Sequence, residues 1–368
     1  MFYTILQFFI RLALQLFCRR ITFSNKAILN SKGPLLLACN HPNSFLDAII
    51  IGSQFNQPVH YLARGDAFKN PLAKKFLTAI KMMPIYRLSE GREYLALNDA
   101  TFDTCKNILL QNGIVLIFSE GLCEHKWQLQ PLKKGSARIA FSAWNELSVS
   151  SSFRVQPVSL NYQSFTKFGK QLIIHFGEKI AKEDVLITAN EGEKIIQFNG
   201  LLTKRLLDGM LVANGDEKLV KNLIGNHQYL TRSAATTIVD LRKLQANLED
   251  FFKQIKLVKQ QRIFISLLLI IVLLIPAIIG FILHAPLYFT LKKIVQQKTK
   301  GTVFYDSVLF GLLLISYPIY WLIINVIVNL LIHNCCLTIA LLLLPLLAWL
   351  CLVWKDAVAN IYAPIKAQ

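Results

Sequence analysis

Acidic residues are scarce in this chain: 22 Asp and Glu stand against 40 Lys and Arg in 368 residues, a formal net charge of +18. A basic surface beside apolar segments suits anionic lipid headgroups and phosphate-bearing substrates. Nucleic acid is the other polyanion that such a charge would attract. Zinc-finger spacing, a basic heptad helix and an aromatic ribonucleoprotein motif are all missing, so no nucleic-acid partner is expected. Paired cysteines are missing too. The seven cysteines, at 18, 39, 105, 123, 335, 336 and 351, form no Cys-x-x-Cys pair. An odd count without spacing argues for reduced, mostly buried thiols rather than a disulfide framework. The triplet Cys123-Glu124-His125 has ligand chemistry, but adjacent ligands without a second pair make a poor tetrahedral site, and no metal is expected.

Charge almost disappears from the last part of the chain. From Ile263 onward six basic and two acidic residues occur in 106 positions, whereas the first 262 residues carry 34 and 20. That split reads as a basic globular domain joined to a membrane module. Ile263 to Phe289 is apolar but interrupted by Pro276, Gly280 and Pro286, while Ser307 to Ile332 and Cys335 to Trp354 are each long enough to span a bilayer. Only His333-Asn334 separates the latter two, which predicts a tight hairpin over 307–354. Three simple spans would carry Lys292, Lys293, Lys298, Lys300, Lys355 and Lys366 across the membrane from the basic domain, against the positive-inside rule. A re-entrant segment over 263–289, turning at its Pro/Gly positions, keeps them all on the cytoplasmic face with that domain.

The first 20 residues alternate bulky apolar side chains with Arg11, Arg19 and Arg20. The stretch is too short and interrupted to span and lacks a small-residue cleavage site, so 1–25 is expected to be an interfacial amphipathic helix. An ordinary docking helix is the alternative. The expected organisation continues with a folded domain over 26–190, a charged helical extension over 191–262 and the membrane module over 263–368.

Within 26–190, short apolar runs alternate with helical patterns. Leu35 to Cys39, Val59 to Ala63, Met82 to Tyr86, Ile114 to Phe118, Val155 to Tyr162 and Leu172 to Phe176 read as strands. Phe45 to Ser53, Pro71 to Ile80, Leu95 to Gln111 and Gly135 to Asn145 read as helices. The pattern predicts an α/β fold with a mixed, largely buried sheet flanked by helices.

Chemistry concentrates after the first of these runs, in Asn40-His41-Pro42-Asn43-Ser44-Phe45-Leu46-Asp47. A strand ending in a histidine, with a carboxylate at the following helix start, can form a base and its orienter. The imidazole can take a proton from an alcohol near neutral pH. No serine or cysteine nucleophile is needed where the substrate carries the hydroxyl. The same residues also fit a Ser44-x-x-Asp47 capping box, in which Asp47 merely caps the helix.

Four blocks in order resemble the phospholipid/glycerol acyltransferase superfamily, over about Leu35 to Phe176. The first is His41 with Asp47. The second is Arg64-Gly65-Asp66-Ala67-Phe68-Lys69-Asn70-Pro71, continuing to Pro84-Ile85-Tyr86-Arg87. The third is Phe118-Ser119-Glu120-Gly121, running into Pro131-Leu132-Lys133-Lys134-Gly135. The fourth is Val155-Gln156-Pro157-Val158. Five residues separate His41 from Asp47 rather than the commoner four, a spacing similar to that of the fungal-type glycerol-3-phosphate/dihydroxyacetone-phosphate acyltransferases. Ser119 stands where the block usually has proline, which is expected to loosen the turn presenting Glu120.

The resemblance implies an integral membrane enzyme moving a fatty acyl group from acyl-CoA or acyl-carrier protein, as co-substrate, to a hydroxyl of glycerol 3-phosphate or 1-acylglycerol 3-phosphate. It implies no other cofactor. His41 is the implied base and Asp47 its orienter, with Arg87 and, more weakly, Arg64 on the acceptor phosphate. Glu120 and Gly121 are implied acceptor-site residues, and Lys133 and Lys134 either meet phosphates or are a solvated pair. Oxyanion donors are expected from backbone N–H groups near Gly121 or at the helix start. Two other readings stand beside this one: a remodeller of other lysolipid or lipid-amide acceptors, and an inactive membrane scaffold.

Overall fold

The computed structural model describes residues 2–87, 91, 93, 96–147, 152–185, 190–230, 248–332 and 343–362. The chain divides into two compact units, one of residues 1–11, 21–162 and 172–220, the other of 12–20, 163–171 and 221–368.

The first unit is built on a seven-stranded sheet: β1 (Arg20–Phe23), β2 (Leu35–Cys39), β3 (Val59–Arg64), β4 (Met82–Ile85), β5 (Ile114–Phe118), β6 (Arg154–Tyr162) and β7 (Gln171–Phe176). Their order is β1-β7-β6-β2-β5-β3-β4. Strands β2 to β6 pair in parallel, and β7 runs antiparallel to β6, so the sheet is mixed. Every residue of β2 is buried, which explains its unbroken apolar run: a central parallel strand covered on both faces has no side for polar residues. Pro84 lies in β4, at the sheet edge, where a missing N–H is tolerated.

Helices connect the parallel strands: α2 (Phe45–Gln54), α3 (Pro71–Ala79), α4 (Leu97–Leu110) and α5 (Gly135–Glu146). Right-handed crossovers put α2 and α3 on one face and α4 and α5 on the other, because the strand order reverses after β4. The second face is closed by α6 (Glu191–Asp208), where Cys105, Ala140, Trp144 and Phe198 pack with Leu36 and Val155. The first face also holds the start of α1 (Phe2–Phe17), whose Gln7 Nε2 donates to the carbonyls of Ser53 at 3.1 Å and Phe55 at 2.7 Å, at the end of α2.

All six expected strands are present, and the expected helices over 45–53, 71–80, 95–111 and 135–145 are present to within two residues. The strand β1 is an addition: helix α1 ends at Phe17 and the chain then joins the sheet edge, inside the stretch expected to be one interfacial helix.

The second unit contains α8 (Leu248–Val272), α9 (Leu274–Lys298), α10 (Tyr305–Ile332) and α11 (Leu344–Tyr362), while α7 (Glu217–Leu230) precedes them. Among the described residues three stretches, Leu274–Lys298, Tyr305–Leu330 and Leu344–Ile361, are long and apolar enough to cross a membrane. Phe264, Ile271 and Ile275 are among many large apolar side chains left exposed there, as suits a lipid environment. The expected boundary at 262/263 falls inside α8.

The turn expected at Pro276, Gly280 or Pro286 is not there. The chain only kinks at Leu273, and helical bonds bridge the kink: Leu273 N–H donates to Leu269 O at 3.0 Å and Ala277 N–H to Leu273 O at 2.8 Å. Proline removes one rung and bends a helix without reversing it. Gly280 serves another purpose, since a Cβ there would sit 2.6 Å from the Leu347 carbonyl oxygen. The expected turn at His333-Asn334, and Cys335, Cys336 and Lys366, lie outside the described residues.

Candidate active site

The sequence-predicted site residues gather at the carboxyl ends of the parallel strands, where open α/β sheets place their ligands. His41 follows β2, Glu120 and Gly121 follow β5, Arg64 ends β3 and Arg87 follows β4. Cys39 pairs with Phe118, so the loops carrying His41 and Glu120 leave the sheet side by side. Ser119 N–H donates to Cys39 O at 2.9 Å and extends that pairing by one rung.

His41 Nδ1 lies 3.0 Å from Asp47 Oδ2, and Asp47 is fully buried. Asp47 does not close a capping box. Its Oδ2 accepts the backbone N–H of Asn43 at 2.8 Å, and Ser44, at the helix N-cap, makes no side-chain cap bond. The chain turns at Ser44 with φ of 55°, a region costly for a residue with a Cβ, and this turn folds the imidazole back toward the first turn of α2. The ring of His41 stacks on Phe118 at 3.8 Å between centroids and 13° between planes, which fixes its orientation.

Two residues to which the sequence reading gave no role in the site complete the arrangement. Tyr162, at the end of β6, donates its hydroxyl to Asp47 Oδ1 at 2.7 Å. Asn40 clamps β2 to β6, donating to Leu160 O at 3.2 Å and accepting Leu160 N–H at 2.8 Å. No local pattern marks either partner, because 115 and 120 residues separate the pairs.

Glu120 is buried, with Oε2 accepting His41 N–H at 3.0 Å and Oε1 accepting Gln130 N–H at 3.1 Å. Burial pushes its carboxyl up to about 7, and the two N–H donors pull the other way. Ser119 does not loosen this turn. Its hydroxyl is 2.8 Å from that of Ser136 at the start of α5, and its carbonyl accepts Lys133 N–H at 2.7 Å. Gly121 has φ of 65°, and a Cβ there would meet the Lys133 stem at 2.9 Å. Its own N–H donates to Phe118 O at 3.1 Å.

Cys123 belongs to the cluster as well. Its sulfur accepts Ser44 N–H at 2.9 Å, and burial together with Asp47 pushes the thiol far up, against the pull of Arg87. Arg87 is thus within electrostatic reach of Cys123. Arg64 is engaged instead with Asp66 at 2.5 Å on the exposed side. Lys133 reaches the glycine turn, and Lys134 is exposed at the start of α5. Among the described residues no group of three or more His, Cys, Asp or Glu side chains could hold a metal ion.

The fold and the site define an α/β domain with a buried polar cluster at the carboxyl ends of its parallel strands. Residues 20–161 match the model of the Acyltransferase family. The match spans every sequence-predicted site residue and stops one residue short of Tyr162. Among solved structures, the chain is similar to the crystal structure of the 1-acyl-sn-glycerophosphate (LPA) acyltransferase PlsC from Thermotoga maritima, at 14% identity and a TM-score of 0.38, over 55% of this chain and 77% of that one. No curated protein matches the sequence.

Proposed function

We propose that this chain is a membrane-bound O-acyltransferase of phospholipid synthesis, moving a fatty acyl group from a thioester, acyl-CoA or acyl-carrier protein, to a hydroxyl of glycerol 3-phosphate or 1-acylglycerol 3-phosphate. The observation that carries this reading is the His41–Asp47 pair. With Nδ1 turned to Asp47, Nε2 takes the acceptor proton as the alcohol oxygen attacks the thioester carbonyl. The new C–O bond forms, the C–S bond breaks, and the proton passes from His41 to the leaving thiolate. Asp47 holds the tautomer and stabilises the imidazolium. Backbone N–H groups near Gly121 or at the start of α2 are the oxyanion donors.

Glu120 receives the glycerol hydroxyls and Arg87 the acceptor phosphate, its guanidinium fork matching a phosphate better than an ammonium would. The five-residue His41–Asp47 spacing favours glycerol 3-phosphate or dihydroxyacetone phosphate as acceptor, by its similarity to the fungal-type enzymes. The test is transfer of labelled acyl chains, from CoA and from carrier protein in parallel, to glycerol 3-phosphate, lysophosphatidate and other lysophospholipids. Transfer to the phosphate monoesters is expected. Exclusive use of lysophospholipids with a headgroup would move the function to remodelling, and no transfer to any acceptor by the purified full chain would overturn it.

A further inference from the structure

Helix α3 is an oddity for a soluble domain: none of its nine residues is buried. Leu72 is 80% exposed and Phe76 51% exposed, and at a spacing of four they share one face. Its ends are well made. Asn70 Oδ1 accepts the N–H groups of Leu72 at 2.9 Å and Ala73 at 3.1 Å, and Pro71 occupies the first turn. The helix is therefore built to stand proud of the domain.

Its charge is one-sided as well. Lys69, Lys74, Lys75 and Lys81 are all exposed, and no acidic residue occurs from Lys69 to Arg87. A second helix of this unit with exposed apolar residues, α1, lies on β3, where the Tyr3 hydroxyl is 3.3 Å from that of Tyr61. From there α1 exposes Phe2, Ile5, Phe8 and Phe9.

We propose that α3 is a lipid-contact element, seating Leu72 and Phe76 among the acyl chains of an anionic bilayer with its lysines at the level of the headgroup phosphates. Protruding apolar tips on an exposed helix suit lipid chains, which need no shape complementarity. The lysines supply the matching charge. Because α3 leads directly through β4 to Arg87, the contact brings the acceptor-side arginine to the surface that holds lipid acceptors. That last step rests on the acyl-transfer reading, whereas the lipid contact does not.

The experiment places an environment-sensitive fluorophore on Phe76→Cys in the full chain, reconstituted in phosphatidylcholine vesicles with and without phosphatidylglycerol. Labelled wild type supplies the background, and Thr104→Cys on α4 is the control. Blue-shifted emission at 76, quenched by lipids carrying nitroxides on their acyl chains, is expected, with no quenching at 104. Lys74→Glu/Lys75→Glu should weaken the quenching in anionic vesicles, by about fivefold in local partition for each lysine. An unquenched probe at 76 overturns the proposal. So does a blue shift that follows protein concentration or added carrier protein instead of lipid, since a protein partner would then cover the face. Quenching without acyl transfer would leave the lipid contact standing and remove the enzymatic reading; transfer without quenching would do the reverse.

Discussion

Tyr162 donates its hydroxyl to Asp47 Oδ1 at 2.7 Å, while Asp47 Oδ2 holds both the imidazole of His41 and the N–H of Asn43. A buried carboxylate with three donors has little freedom to rotate, so Tyr162 acts as a positioning residue for the base. Tyr162→Phe keeps the ring volume and removes one bond to a buried charge, worth about 1.5–3 kcal/mol. The expected result is a fall in kcat of roughly tenfold to a hundredfold with both KM values little changed. A variant that loses stability but keeps its kcat would reduce Tyr162 to a packing residue.

The pair itself is tested by two substitutions. His41→Ala is expected to cost about 10²–10⁴ in rate with expression and membrane association near wild type. Retention of more than about a tenth of the activity would rule out the general-base role. Asp47→Asn is expected to lose activity by a similar factor or more, of order 10⁴. An amide offers one acceptor oxygen to a site with donors on both sides, so this variant also loses stability. An active, stable asparagine variant would instead fit a carboxylate that only caps.

Glu120 carries a pH signature. Its carboxyl is raised from about 4.5 to about 7 by burial, so the native state holds a proton that the unfolded chain gives up earlier. Stability from this group is therefore highest below about pH 4.5, declines as pH rises, and reaches its full penalty above about pH 7, of order 3 kcal/mol. Glu120→Gln should flatten that decline, as read from denaturant midpoints across pH 4.5–8. Transfer should rise through the same interval as the carboxylate forms to bind the acceptor hydroxyls. A wild-type stability profile parallel to that of the variant would exclude the raised carboxyl.

The two arginines separate by their surroundings. Arg87 stands close enough to Cys123 to act on its thiol, and Cys123 touches the loop between His41 and Asp47, whereas Arg64 is paired with Asp66. Arg87→Ala should raise the acceptor KM far more than the donor KM, and Arg64→Ala should leave both nearly unchanged. The opposite pattern would move the phosphate to the end of β3.

Much of the sheet was legible in sequence because β2 and β5 are buried on both faces and read as plain apolar runs. β1 was not, since Arg20-Ile21-Thr22-Phe23 is short, begins with a charge and follows a helix directly. The ambiguity of Asp47 between orienter and cap was real in sequence. The Ser44 turn decides its geometry, and backbone angles leave no trace in residue types that tolerate either. Pro276, Gly280 and Pro286 did not locate the break, which falls at Leu273, because the same residue types serve a kink, a close helix contact and a reversal.

Lys170 and Asp306 form a buried ion pair inside the second unit, with the Lys170 ammonium over the ring of Phe17 at 5.1 Å. Lys170 belongs to the loop joining β6 to β7, and Asp306 opens α10. A charge pair removed from water on both sides is strongly destabilised when one partner goes, so the loop and the start of α10 stay together. Residues 299–304 must then lie on the membrane side where that loop lies, and Lys298 and Lys300 with them, in keeping with the positive-inside bias. Cysteines introduced at Thr166 and at Lys300, both exposed, are expected to react with a membrane-impermeant maleimide from the same side, in intact and in opened membranes compared in parallel. Reaction of the two from opposite sides would break the link between the ion pair and the topology, and would put the lysines after α9 across the bilayer from the β6–β7 loop.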